Sequence, residues 1–134
     1  MLRINRETDY AIRVILALAK YPPDQIITSA VIQREMHLPE ALSLQIISRL
    51  ANRGLVKTYP GRNGGIQLAQ APAEISLREV VEAMEGPLTI SYCLTDDHTC
   101  SLAPDCPVQG CWEDLQEKIN RELEEVNFQI LSQG

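Results

Sequence analysis

Near residue 55 the apolar residues of this chain change their spacing, and that change restricts the fold more than any other feature. Before it they recur at helical intervals. In ETDYAIRVILALAK (7–20), Ala11, Val14, Ile15 and Leu18 form one stripe. PPD at 22–24 breaks that helix. A second helix is predicted to open at Thr28 or Ser29, with the hydroxyl as cap, and to run through AVIQREM. His37-Leu38 is a turn, and Pro39 suits the first position of a third helix, EALSLQIISRLANR. Leu42, Ile46, Ile47 and Leu50 should face inward there, and Gly54 should end the helix as a left-handed cap. After that the period is strand-like. LVKTY, the turn PGRNGG and IQLA read as a hairpin.

Three helices and a hairpin in this order describe a winged helix-turn-helix, in which the third helix enters the major groove and the hairpin touches the flanking backbone. The expected class is therefore mainly α with a small β wing. Past the linker QAPAE, Ser76-Leu77-Arg78-Glu79 is a capping box that opens a short helix reaching Glu85. A long helix is expected from Trp112 to about Ser132. Trp112, Leu115, Ile119, Leu123, Val126 and Ile130 keep one narrow seam apolar, as in a helix that pairs with another helix. The expected divisions are a DNA-binding domain at 1–72, a linker helix and cysteine loop at 73–111, and a dimerisation helix at 112–134. The alternative for the last helix is packing on its own domain.

The net charge of −6 disfavours a general nucleic-acid binder, but it hides an asymmetry. Residues 1–70 carry nine Lys/Arg against five acids, or +4, and residues 71–134 carry three against thirteen, or −10. Local charge sets the field that a polyanion meets, so the first half can face phosphate. No apolar run approaches the roughly 20 residues of a membrane span, and the amphipathic start MLRINRETDYAIR lacks a leader's apolar core. These features lead us to expect a cytoplasmic protein whose thiols stay reduced. No Ser/His/Asp or paired-carboxylate arrangement suggests an enzyme.

All four cysteines lie between Ser91 and Trp112, spaced C-x6-C-x5-C-x4-C at 93, 100, 106 and 111. In a reducing compartment such a group reads as metal ligands or redox thiols rather than disulfides. The tight C-x2-C knuckles of structural zinc sites and the C-x-x-C of thioredoxin-like proteins are both missing. Wide spacing suits an iron–sulfur cluster, whose irons take ligands from around a loop. Pro104, Pro107 and Gly110 would stiffen such a loop. A thiol switch or zinc remains the second reading, and a small iron–sulfur electron carrier a third. The electron carrier leaves the helix-turn-helix order unexplained.

Taken in order, LRINRETDYAIRVILALA, SRLANRGLVKTYPGRNGGIQLA, ISLREVVEAMEG and three cysteines with a tryptophan before the last helix resemble the Rrf-two family of bacterial winged-helix regulators. The resemblance implies a homodimeric repressor on a partly palindromic double-stranded operator. Its DNA affinity would follow a four-iron or two-iron cluster that senses redox state, nitric oxide or iron and cluster supply. It also implies Cys93, Cys100 and Cys106 as cluster ligands. In some members the fourth ligand is an aspartate of the first helix's TDY motif, given by the other subunit, which corresponds to Asp9 here. In others it is a histidine three residues past the last cysteine, where this chain has Gln109. Cys111, expected at the start of the last helix where the dipole favours negative charge, is the other candidate, and His98 could also reach the metal.

On the winged-helix reading, Glu40, Ser43, Leu44 and Gln45 are the exposed candidates for base contact. Gln45 suits adenine, and Leu44 suits a thymine methyl. Arg49, Lys57 and Arg62 suit phosphate, and Asn63 in the wing turn suits the minor groove. Where some family members carry a Ser-Tyr pair and a glutamate, this chain has Ala41-Leu42 and Leu44, so their sequence preference does not transfer.

Overall fold

A computed structural model describes residues 3–95, 100–102 and 105–134. The expectations for His98 and Pro104 lie outside the described residues. Helix α1 (Arg6–Ala19) opens at Asn5, whose side chain accepts the Thr8 amide at 2.8 Å. Its stripe of Ala11, Val14, Ile15 and Leu18 is buried as expected. Helix α2 (Ser29–Met36) is capped by Thr28 and ends at His37, which adopts a left-handed φ of 54°. That residue turns the chain so that Leu38 is buried and donates its amide to the Gln33 carbonyl at 2.9 Å. Helix α3 (Glu40–Asn52) follows, and here Pro39 is the capping residue rather than the first helical one. Gly54 takes a φ of 73°, the backbone conformation expected of it at the end of α3.

The inward face of α3 carries Ile46, Ile47 and Leu50 as expected and differs at one position. Ser43, Ile46, Ile47 and Leu50 are buried, and Leu42 is only half-buried. The wing is an antiparallel pair, β1 (Val56–Tyr59) and β2 (Gly65–Leu68), with Val56 opposite Leu68 and Tyr59 opposite Gly65. Ile27 forms an isolated antiparallel bridge to β2, since it and Ile66 exchange amide hydrogen bonds of 2.8 and 2.7 Å. This bridge ties the wing to the segment entering α2. Helix α4 (Leu77–Glu85) opens with the expected capping box of Ser76 and Glu79 and buries Val80, Val81 and Met84.

The C-terminal part differs most from expectation. The long helix is α5 (Pro107–Glu125), which begins at Pro107, five residues before Trp112, and stops at Val126. Asn127 caps a separate short helix, α6 (Phe128–Ser132), by accepting the Ile130 amide at 2.9 Å. An Asn side chain satisfies a new helix start at the cost of continuing the old one. Val126 and Ile130 therefore do not extend the seam of Trp112, Leu115, Ile119 and Leu123. Instead the chain folds back, with Leu77 donating to the Val126 carbonyl at 2.8 Å and Phe128 to that of Ile75 at 3.2 Å. Phe128 is fully buried in the main hydrophobic core, and α6 lies on α1 and on the turn at 72–74. No residue of α5 itself is buried, and Trp112 and Leu115 are exposed.

Arg78 fastens α5 to α4. It donates to Glu82 at 2.9 Å and to Glu124 at 2.6 Å, and these hydrogen bonds raise its pKa above the usual guanidinium value. Phe128→Ala is expected to cost about 3–5 kcal/mol, by loss of transfer energy plus a cavity. Urea unfolding monitored by circular dichroism measures this, and a loss under about 1 kcal/mol would contradict the burial of that ring.

Candidate DNA-binding face and cysteine loop

The first turns of α3 stand beside the wing. Glu40, Leu44 and Gln45 are exposed, with Leu44 the most open of the large apolar residues on this helix. A groove of about 310 Å³ runs between Leu44 and Ile47 of α3, residues 28–30 at the start of α2, and the wing residues Thr58, Tyr59, Gly61 and Arg62. Arg62 and Asn63 lie exposed at the wing tip and Lys57 on β1, all within reach of solvent. Residues 28–30, Thr58 and Tyr59 were not singled out from sequence. Their place depends on the pairing of Ile27 with Ile66, which no local pattern encodes.

The wing is braced from behind. Tyr59 donates to the Gln67 side chain at 2.9 Å, and the Gln67 amide donates to the Pro23 carbonyl at 2.7 Å. A β-carbon at Gly65 would sit 2.3 Å from the Ile27 carbonyl oxygen, and one at Gly64 would sit 1.9 Å from that of Tyr59. Close backbone approach therefore requires glycine at both positions.

One expected DNA contact, Ser43, is corrected. Ser43 was expected to be exposed, but it is fully buried on the inner face of α3, and its hydroxyl has no partner among the described residues. Its spacing from Ile46, Ile47 and Leu50 places it on that helix's core stripe. Arg49 is exposed and also reaches neighbouring helices, donating to the Met84 carbonyl at 3.4 Å and lying 3.7 Å from the Glu7 carboxylate.

The cysteine loop leaves the end of α4 and enters α5. Cys93 lies in a 3₁₀ turn (Tyr92–Leu94), its sulfur 3.1 Å from the Ser91 hydroxyl. The Cys100 sulfur accepts the Leu102 amide at 3.4 Å. Cys106 is the capping residue of α5, so the positive end of that helix falls there. Cys111 lies inside α5 rather than at its start, which corrects the expected placement. All four cysteines are free; Cys111 is exposed and the other three half-buried. Asp9, in the first turn of α1, pairs with Arg13 at 2.9 Å with about half of each side chain exposed. Gln109 lies in the first turn of α5, half-buried. Among the described residues no three Cys, His, Asp or Glu side chains converge to metal-binding distance.

A recognition helix beside a braced glycine wing defines a winged-helix, DNA-binding type of regulator. Residues 4–134 match the Rrf2 (Rrf-two) family, described as an iron-dependent transcriptional regulator, and the chain belongs to that family. It is 30% identical over 131 residues to the HTH-type transcriptional regulator NsrR of Halalkalibacterium halodurans, covering 97% of this chain and 90% of that one. Its fold matches CymR, the global cysteine regulator of B. subtilis, with a TM-score of 0.80 at 24% identity, covering 99% and 98% of the two chains. It also matches T. potens IscR, with a TM-score of 0.72 at 22% identity and coverage of 95% and 83%.

Ser43→Ala should leave DNA affinity within about twofold and should hold or raise stability, because it deletes a buried, unpaired hydroxyl. Fluorescence anisotropy with a labelled duplex, beside thermal melting, measures both. A large loss of affinity with an intact fold would return Ser43 to the DNA face.

Proposed function

We propose that this regulator is a repressor whose operator affinity is set by an iron–sulfur cluster held at the cysteine loop, sensing redox state, nitric oxide or iron and cluster supply. The observation that carries this reading is the loop itself. Its free thiols stand between the DNA-binding helices and α5, and two of them already meet a hydrogen-bonding group at sulfur. Soft thiolates suit iron–sulfur chemistry, and hydrogen bonds to sulfur tune such clusters. The family's description as iron-dependent supports it further.

Cys93, Cys100 and Cys106 would hold the group. Asp9 of the partner subunit, released from Arg13, or Cys111 would complete it. A bound cluster supplies a centre that electrons, oxygen and nitric oxide can alter. The protein's own part is to carry the resulting change of loop shape to the DNA face. In this reading Trp112, Leu115, Ile119 and Leu123 of α5 form the homodimer seam, which accounts for the exposure of Trp112 and Leu115 and the half-burial of Ile119 and Leu123 in one chain. A twofold dimer then meets a partly palindromic operator. Glu40, Leu44 and Gln45 would read bases, Lys57 and Arg62 would hold phosphate, and Asn63 would enter the minor groove. The protein would act in the cytoplasm, beside the DNA it reads. Among the described residues no helix is long and apolar enough to cross a membrane.

The second reading is a thiol switch or zinc on the same scaffold. It is favoured by the exposure of Cys111 and by the lack of three converging ligands among the described residues. Anaerobic purification separates the two. Iron, acid-labile sulfide and visible absorption are expected from wild type, and a colourless protein with zinc or disulfides would establish the second reading. Asp9→Ala and Cys111→Ala name the fourth ligand by which of them perturbs the spectrum, and if neither does, both candidates fail.

Arg62→Ala should lower the salt dependence of DNA binding by about one unit of the logarithmic slope. An unchanged slope would remove Arg62 from the phosphate contacts.

A further inference from the structure

Three contacts meet where α4 ends and the cysteine loop begins. Arg49 of α3 donates to the Met84 carbonyl in the last turn of α4, at 3.4 Å. The same guanidinium nitrogen lies 3.7 Å from Glu7 in the first turn of α1. The Asn5 amide, at the start of α1, donates to Glu85 at 3.2 Å. Each joins complementary charge. A guanidinium meets the negative end of α4, and a carboxylate meets the positive end of α1.

These side chains are close to half exposed, and a pair of that kind adds little stability. What the contacts do is set position. Arg49 lies one helical turn beyond Gln45 on α3, so its hydrogen bond registers the base-reading helix against the last turn before the loop. Glu7 is two residues from Asp9, so the same guanidinium also touches the turn of α1 that carries a candidate fourth ligand. Any movement at either place changes the acceptors available to one arginine. Both contacts fall on one guanidinium nitrogen, so a change at either acceptor is felt by the same group.

From this we infer that Arg49 is a positioning residue that couples the root of the cysteine loop and the first turn of α1 to the recognition helix, and is not a phosphate contact. The inference rests on the sensing reading above. It differs from an arginine on DNA in a measurable way, because a coupling residue alters the response to the loop while leaving the phosphate count alone.

The test uses the full-length protein with Arg49→Lys and Arg49→Met, and a labelled duplex selected from a random pool by wild type. Affinity is measured on anaerobically isolated protein and again after chelation and alkylation of its thiols. Wild type should shift by about tenfold or more, and both variants by less than about threefold. Their salt slopes should equal that of wild type. A slope lower by about one in Arg49→Met makes the residue a phosphate contact and overturns the inference, as does a full wild-type shift in both variants. If wild type itself does not shift, the sensing reading fails, and amide hydrogen exchange then decides the coupling alone. Arg49→Met should speed exchange in residues 40–52 and 84–92 together, and a change confined to 40–52 overturns it.

Discussion

The apolar stripe of α1 is the constraint on which the other elements depend. Ala11, Val14 and Ile15 have no exposed surface, and α2, α3, α4, α6 and β2 all pack against that helix. Burial of each large aliphatic side chain is worth about 1.5–3 kcal/mol, so a few residues of one helix organise elements far apart in sequence. The DNA face and the cysteine loop are both attached to elements that α1 holds together. Neither has a core of its own, and both inherit their positions from it.

Most of the N-terminal fold was legible because its signals are local. Helical spacing, Thr28 and Ser76 as caps, Gly54 as a stop and the glycine turn of the wing each act within a few residues. What could not be read is what depends on distant partners. The Ile27–Ile66 bridge joins segments with no common pattern. Apolar spacing alone favoured Leu42 on the inner face of α3, whereas a small polar Ser43 fills the place where neighbouring elements pack closely. At the C-terminus the regular steps through Val126 and Ile130 suggested one helix. The competing signal was Asn127 followed by Phe128, a cap and a large anchor whose receptor lies some fifty residues upstream at Ile75.

The candidate sites were legible to different degrees for the same reason. Cysteine spacing and side-chain chemistry are properties of sequence, so Cys93, Cys100 and Cys106 could be named, together with Leu44, Gln45 and Arg62. Engagement is a property of the fold. Whether an arginine is spent on a neighbouring helix, as Arg49 is on α4, or an aspartate on the next turn, as Asp9 is on Arg13, appears only in three dimensions.

The glycine pair of the wing bears on how such a regulator diversifies. With carbonyl oxygens pressed against positions 64 and 65, the entry to the wing's return strand has no room for a β-carbon. Residues 62 and 63, at the tip, face solvent and carry no such restriction. The side chains at the wing tip can therefore vary along a backbone track that stays the same.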